Sequence, residues 1–382
     1  MSDFIFRISP NIILGSYTVS RLGQLAKEWG QRFMLIIDPI LKESGTQEKI
    51  TKPLEDHGLT FFTFDEISTV ADSQTAEKAL KLARDSHAQC IIAAGGSKTL
   101  NLGRAVSALF YETDSIYSVL DGKKCAEKPL PLICVPTTIR DPFMFTDSTP
   151  VTDSRSSRLK IIKSQNGLCR LILWDPNLTV TLTDKQNSAM YIETLCLALE
   201  AYISQKSSFF SDMLAEKSLQ LLGWAKNGAP TLTVTTPPEI LLAQGGCMAS
   251  LGAGCSSLGA ATLLAQSINA RYKISRSLTA SILIPYVIED GAKFRAEKLA
   301  RAARITGAAQ EDSPDEEAVK ALQEYVRQEL AKANLPARLK DLNVTVEKLS
   351  LAAEDAGETE LINSLAHSMT SDDLFELIKQ AF

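Results

Sequence analysis

The sequence predicts two successive domains of different class, an α/β domain over residues 1–178 and an all-helical domain over residues 179–382. Two observations support this prediction. In the first half, short apolar runs typical of strands alternate with segments of helical periodicity, which is typical of a mostly parallel sheet covered by helices. From residue 183 onward, the apolar residues recur almost wholly at helical spacing, which predicts an all-α domain.

The elements of the first half follow from the positions of their apolar residues. A continuous apolar run predicts a buried strand, and apolar residues on one face, such as Leu22, Leu25 and Ala26, predict a helix. In chain order, the pattern predicts an early strand or turn at 11–15, a helix at 19–29, a strand at 33–37, a helix at 48–57, a strand at 60–64, a helix at 74–86, a strand from residue 90 that leads into a helix, and a strand at 130–135. This order predicts a Rossmann-like parallel sheet.

The second half consists of segments with helical periodicity. Thr183 and Asp184 are residue types that favour the start of a helix, and they precede the first of these segments. The predicted helices cover residues 186–204, 212–225, 239–248, 258–268, 278–288, 295–306 and 316–333, followed by short helices to the C terminus.

A phosphate site is the most informative prediction from the first half. The apolar run that begins at Cys90 meets Gly95, Gly96 and Ser97, and a helical segment follows. A strand that turns through glycines into a helix brings backbone N–H groups and the positive end of the helix dipole close to a phosphate. An ordinary tight turn between a strand and a helix is the alternative interpretation.

Polar residues follow three of the predicted strands, and we expect them to line one crevice because ligands bind beyond the carboxyl ends of parallel strands. These residues are Asp38, the turn at 95–97, and Thr137 with Thr138. An acidic residue at a strand end accepts hydrogen bonds from a ribose diol and repels a 2′-phosphate, so Asp38 favours NAD over NADP. A simple turn residue before Pro39 is the alternative.

Composition excludes several classes of partner. The formal net charge of −5 argues against nucleic acid or an anionic membrane as the main partner. No apolar run reaches the roughly 20 residues that span a bilayer, and the start MSDFIFRISPN lacks the regions of a signal peptide. The seven cysteines have no metal-binding spacing and stand mostly in apolar surroundings, so we expect reduced thiols in a cytoplasmic protein.

Six segments carry a resemblance to a known family. They are LIIDPIL (35–41), GGSKTLNLGRAV (95–106), VPTT (135–138), ILWDPNLTVTLT (172–183), ETLCLALEAYIS (193–204) and the segment at 257–289. In this order they resemble the iron-containing alcohol dehydrogenase family, whose superfamily includes glycerol dehydrogenase and dehydroquinate synthase. The resemblance implies a dehydroquinate synthase-like fold, NAD(P)-dependent oxidoreduction of a small-molecule substrate, and a homodimer.

The resemblance breaks at the family's metal site, where one Asp and three His hold a divalent ion that polarises the substrate oxygen. The positions that match these ligands, and a further active-site His, are occupied here by Glu193, Leu197, Thr262, Arg276 and Gln266. The chain has only three histidines, and none lies between residues 88 and 366. Leucine cannot bind a metal and an arginine repels one, so neither bound iron nor zinc is expected.

The cofactor half also departs from the family pattern. The third glycine of the loop is Ser97, and the Asp and Lys near it correspond to Asn101 and Arg104. The family's PTTAGTGSE turn reads PTTIRDPFM at 136–144, so bulky residues stand where small ones let the backbone approach a pyrophosphate. A dinucleotide that binds differently, a smaller ligand and an empty crevice all remain as interpretations.

The altered metal site suggests a hypothesis about its charges. Glu193 shares a helical face with Leu197, as Thr262 does with Gln266, and Arg276 follows the second helix. We predict that Arg276 pairs with Glu193 and binds a substrate carboxylate or stabilises a developing alkoxide. A structural ion pair in an abandoned site is the alternative.

Three functions from different classes therefore remain open. The first is a metal-independent NAD(P)-dependent reductase, as in the maleylacetate-reductase-like branch of the superfamily. The second is a catalytically inactive paralogue that binds a nucleotide or another ligand as a regulatory protein. The third is a lyase of the dehydroquinate synthase kind, which the missing metal ligands disfavour.

Overall fold

The chain divides into two units between Thr181 and Leu182, close to the predicted boundary between residues 178 and 179. The structure is a computed structural model, and it describes residues 10–67, 69–164, 169–228 and 236–382. Residues 1–9, which include most of the segment for which the sequence predicts no signal peptide, lie outside the described residues.

The first unit is built on a six-stranded parallel sheet, which confirms the predicted α/β class. The strands of the unit are β1 Asn11–Leu14, β2 Arg32–Ile37, β3 Thr60–Phe64, β4 Cys90–Gly95, β5 Leu132–Pro136, β6 Ser148–Asp153, β7 Arg158–Lys163 and β8 Leu171–Trp174. The order in the sheet is β1-β8-β5-β4-β2-β3, and every adjacent pair is parallel. The central strands are continuous apolar runs because both faces of a parallel sheet are buried.

Among the described residues of this unit, six helices accompany the strands. They are α1 Leu22–Ala26, α2 Ile40–Glu43, α3 Gln47–Asp56, α4 Ser73–Asp85, α5 Ser97–Leu109 and α6 Ile116–Leu120. The predicted helix at 19–29 is wrong as a single element, since α1 is flanked by two 3₁₀ turns, Thr18–Arg21 and Lys27–Trp29. None of these three pieces has a side-chain cap, so nothing at their ends favours a continuous helix over tighter turns.

The strands β6 and β8 were not predicted as separate elements. β6 and β7 form a separate antiparallel pair, and β6 has the polar sequence STPVTD, which lacks the apolar alternation of a half-buried strand. β8 lies within the segment that carries the family resemblance, and it joins β1 to β5. Pairing with neighbouring strands, which no local pattern encodes, decides these elements.

The second unit contains helices and no strand among its described residues, as the sequence predicts. The helices are α7 Asp184–Ile203, α8 Phe209–Asn227, α9 Pro238–Cys255, α10 Ala260–Tyr272, α11 Arg276–Thr306, α12 Asp315–Lys332, α13 Val346–Gly357 and α14 Ser371–Ala381. Thr183 caps α7 in a reciprocal capping box with Gln186. The helices predicted at 278–288 and 295–306 correspond to the two parts of α11, which meet at a kink where Arg295 adopts a non-helical conformation.

Most of the residues of α9 and α10 taken together are buried. Within the described residues, no single helix is long and apolar enough to cross a membrane, although α9 and α10 together meet that length and composition across a 94° bend. The seven cysteines are free, and all but Cys255 are buried.

Candidate functional site

The predicted phosphate turn lies where β4 ends and α5 begins. Gly95 has a φ of +154°, and a Cβ built on it would lie 2.7 Å from Thr99 Oγ1, so this position requires glycine. Gly96 is the N-cap of α5, and Ser97 is its first residue. The first amide groups of a helix have no acceptor within it. Ser97 is 4% exposed, and its Oγ has no hydrogen-bond partner in the described part of the chain.

Asp38 follows β2, the neighbour of β4, so the structure brings it beside the glycine turn. Its backbone N–H donates to the carbonyl of Ala94 at 3.0 Å. Its carboxylate accepts from Thr99 Oγ1 at 3.3 Å and lies 3.5 Å from the Lys98 ammonium. Both of these contacts are long. Because Asp38 follows the end of β2, it lies at the carboxyl edge of the sheet, which is where a ribose would bind in the predicted mode.

Thr137 and Thr138 follow β5 on the other side of β4. The backbone N–H of Thr137 donates to the carbonyl of Gly95 at 3.0 Å, which places the VPTT turn directly against the glycine turn. The carbonyl of Thr138 accepts from Trp174 Nε1 at 3.0 Å. The three strand ends expected to share one crevice are therefore neighbours at one edge of the sheet.

The turn that departs from the family pattern is held by a buried ion pair. Arg104 donates to Asp141 Oδ1 at 2.6 Å, and the two side chains are 3% and 0% exposed. Arg104 also donates to Asn101 Oδ1 at 2.7 Å, and Asp141 Oδ1 accepts from the amide of Phe143 at 2.9 Å. Asn101 therefore has a partner inside the unit, and its role toward a cofactor stays a prediction.

The helical unit holds the second group of predicted site residues. Glu193 and Leu197 lie on α7, Thr262 and Gln266 on α10, and Arg276 is the first residue of α11. Ser277 Oγ donates a short hydrogen bond to Glu193 Oε2, and Arg276 Nη1 donates to Gln266 Oε1 at 3.3 Å. These contacts bring Gln266 to Arg276, while the direct pairing of Arg276 with Glu193 stays a prediction.

Thr262 is held by a carboxylate that the sequence analysis did not single out. Its Oγ1 donates to Glu200 Oε2 at 2.5 Å, and the amide of Ala261 donates to Glu200 Oε1 at 2.7 Å. Glu200 is 1% exposed and accepts the first amide groups of α10. Its burial raises its pKa above the ordinary value, and the hydrogen bonds from Thr262 and Ala261 oppose that rise.

This raised pKa predicts a pH dependence of folding. Because folded Glu200 holds its proton to higher pH than the unfolded chain, its contribution to stability is complete below the ordinary glutamate pKa and is lost as pH rises through the folded pKa. We expect the unfolding free energy of wild type, relative to E200Q, to fall between acidic and neutral pH. Denaturant unfolding across that range measures it, with the exposed Glu297→Gln as control.

Three residues important to these contacts were missed from the sequence. Ser277 stands directly after Arg276, Glu200 lies seven residues after Glu193, and Asp141 lies in the altered turn. The spacing of seven residues puts Glu200 on the same helical face as Glu193, and a carboxylate within the apolar stretch of this helix was the available signal. Nothing local distinguishes Asp141 or Ser277 from ordinary surface residues.

Among the described residues, no three or more His, Cys, Asp or Glu side chains lie together so that they could hold a metal ion. At the positions that match the family's ligands, the side chains offer one carboxylate, a threonine hydroxyl, a leucine and a guanidinium. Only the carboxylate and the hydroxyl are oxygen donors, and the guanidinium is a fixed cation.

Comparison with protein families gives two matches that together cover most of the chain. The family model described as iron-containing alcohol dehydrogenase matches residues 9–176. The model described as Fe-containing alcohol dehydrogenase family, C-terminal, matches residues 189–382, which is half of the chain.

Known relatives extend along the full length. Lactaldehyde reductase from Escherichia coli is 23% identical over 371 residues, which are 96% of this chain and 97% of the relative. NADH-dependent butanol dehydrogenase B from Clostridium acetobutylicum is 23% identical over 93% of each chain. The crystal structure of a 1,3-propanediol oxidoreductase superposes with a TM-score of 0.91 at 20% identity and covers 100% of both chains. That likeness shows the same fold.

Proposed function

This chain belongs to the iron-containing alcohol dehydrogenase family, and on that premise we propose that it is an NAD-dependent oxidoreductase of a small alcohol, aldehyde or keto acid that works without the family's metal. The α/β unit binds the cofactor and the helical unit binds the substrate. The observation that carries the proposal is the glycine turn with its buried, unpartnered Ser97 hydroxyl among the described residues.

The residues of the turn fit a dinucleotide. The Ser97 hydroxyl and the first amides of α5 would hold a phosphate oxygen, because a buried donor without a partner is costly unless a ligand accepts from it. Asp38 would accept from the ribose hydroxyls, with Thr137 and Thr138 beside the phosphates. When bound, the nicotinamide supplies or accepts the hydride. Relatives such as the NADH-dependent butanol dehydrogenase support this choice of cofactor.

The residues of the helical unit do not fit a divalent metal. One of the matching positions is the apolar Leu197, and another is Arg276, whose guanidinium would repel the ion at close range. The remaining carboxylate, Glu193, already accepts a hydrogen bond from Ser277. We therefore assign the stabilisation of a developing alkoxide to the positive charge of Arg276. Donors that are fixed in place before the reaction stabilise such a charge effectively.

A catalytically inactive, ligand-binding paralogue is the second candidate. The observation that favours it is the altered turn, where Arg140, Phe143 and the ion pair of Arg104 with Asp141 are all buried. Bulky buried side chains occupy the segment in which the family has small residues. An unchanged fold with a filled crevice would then bind a smaller ligand than a dinucleotide.

The test of cofactor binding is a titration of metal-stripped protein with NADH and with NADPH, followed by nicotinamide fluorescence. We expect NADH to bind at least about tenfold more tightly than NADPH, since Asp38 accepts from the ribose hydroxyls and repels a 2′-phosphate. Replacing Asp38 by Ser should remove most of that difference. Replacing Asp56 by Ser, an exposed carboxylate at the end of α3, should leave it unchanged.

The outcomes separate the two candidates. Binding of NADH, together with reduction of an aldehyde in the presence of a chelator, would support the metal-free oxidoreductase. Failure of both cofactors to bind at about millimolar concentration would overturn it and leave the ligand-binding paralogue.

A further inference from the structure

We infer that Lys98 is a second determinant of cofactor choice. Its ammonium balances the charge of Asp38 and contacts the 2′-phosphate of NADPH, so the preference for NADH is smaller than the carboxylate alone would impose. This inference rests on the cofactor site of the proposed function. It adds to that site a residue that acts at the 2′ position of the adenosine ribose.

The contacts of Asp38 leave room for a ribose. Its Oδ1 accepts from the backbone N–H of Ile40 at 3.4 Å and lies 3.5 Å from Lys98 Nζ, whereas its Oδ2 accepts from Thr99 Oγ1 at 3.3 Å. All three distances exceed the usual hydrogen-bond length of about 2.9 Å. An ionised carboxylate has about four lone-pair sites, so Asp38 can accept from a ribose diol while Lys98 stays beside it.

Lys98 stands at the same edge of the sheet because it is the second residue of α5, directly after the glycine turn. Its side chain is 31% exposed, and that of Asp38 is 10% exposed. Among the described residues, Lys98 forms an ion pair with Asp38 alone. An ammonium carries three donors on a flexible stem. Lys98 can therefore reach a phosphate oxygen next to Asp38 without leaving the carboxylate.

The charges explain why this lysine acts on NADPH more than on NADH. NADH presents neutral hydroxyls to Asp38, whereas NADPH presents a phosphate with a charge of about −1.5 to −2 at neutral pH. Without Lys98, the phosphate would approach an uncompensated carboxylate, which repels it. With Lys98, the pair has no net charge, and its ammonium also attracts the phosphate. The ammonium thus reduces the discrimination against NADPH.

Binding is tested without turnover by calorimetric titration of the full chain with adenosine 5′-monophosphate and adenosine 2′,5′-bisphosphate, two probes that differ only in the 2′-phosphate. We expect Lys98→Met to weaken the bisphosphate about tenfold or more and the monophosphate less than about threefold. Lys98→Arg keeps the charge and should keep the bisphosphate affinity within about threefold of wild type. Lys81→Met removes an exposed lysine in the second half of α4 and should change neither affinity.

Folding of the variants is checked by urea unfolding. Because Lys98 is about a third exposed, its pair with Asp38 contributes little to stability, and K98M should unfold at the same urea concentration as wild type. A loss of bisphosphate affinity in K98M then reports on binding and not on the folded fraction.

Titration of the same variants with NADH and NADPH separates this inference from the proposed function. We expect K98M to raise the dissociation constant of NADPH relative to that of NADH about tenfold or more. Equal weakening of both cofactors would assign Lys98 to a phosphate that they share and would overturn the inference, while the binding of NADH leaves the proposed function standing. Unchanged bisphosphate affinity in K98M, or no binding of either probe to wild type at about 10 mM, would also overturn it. Bisphosphate binding that depends on Lys98, without binding of either dinucleotide, would leave the inference standing while the proposed function fails.

Discussion

Replacing Arg104 by Met is expected to lower the free energy of unfolding by about 3–5 kcal/mol, the range seen when one partner of a buried ion pair is removed. Met fills a similar volume and donates no hydrogen bond. The variant would therefore leave the Asp141 carboxylate buried without the guanidinium that lies 2.6 Å away. The oxygen of Asn101 would lose its donor as well. Urea unfolding followed by circular dichroism measures the loss.

Two controls make this prediction specific to burial. The double variant R104M/D141L removes both charges, and it should recover most of the loss because an apolar pair in the same place is often no less stable. Lys320→Met removes one partner of the exposed pair of Lys320 with Glu316, which should change stability by less than about 1 kcal/mol. A single Arg104 variant as stable as wild type would contradict a role for the pair in holding the altered turn.

Gly95→Ala is expected to lower the free energy of unfolding by about 2–4 kcal/mol. Two effects add at this position. The backbone has a φ of +154°, which residues other than glycine rarely adopt. The new Cβ would also lie 2.7 Å from Thr99 Oγ1 and 2.9 Å from Asp38 Cβ, so the turn or both neighbours must shift.

Gly122→Ala separates these two effects. Gly122 also has a positive φ, of +110°, yet a Cβ there meets no described atom within 4 Å. We expect about 1–2 kcal/mol from this variant, the cost of backbone strain alone. Thermal and urea unfolding of both variants give the comparison. Equal losses would show that the close approach of Thr99 and Asp38 contributes nothing to the need for glycine at position 95.

Much of the fold was predictable because its signals are local. The run Phe33 to Ile37 is fully buried, and a continuous apolar run of that length is typical of a strand inside a parallel sheet. The predictions failed where pairing between neighbouring strands determines whether a segment is a strand. An example is β6, whose sequence STPVTD forms a strand beside β7. The two helices predicted on either side of residue 295 are the two parts of the kinked helix α11.

The candidate site likewise contains some contacts that could be predicted from the sequence and others that could not. The glycine turn and Asp38 follow strand ends, so the order of elements was enough to expect them together, and the register of β2, β4 and β5 brings them there. The contacts of Ser277 with Glu193 and of Glu200 with Thr262 join residues 84 and 62 positions apart. Such contacts depend on how helices pack, and helix periodicity carries no information about them.

The sequence by itself determined the class of each half, the glycine turn, and the absence of histidine from residues 88–366, since these depend on residue types and spacing alone. Only the tertiary structure decided the partners of the charges. It placed Arg104 on Asp141, Arg276 on Gln266 and Thr262 on Glu200. The physical reason is that burial makes an unpaired polar group costly, so each of these groups is satisfied by whichever partner the folded backbone brings within reach.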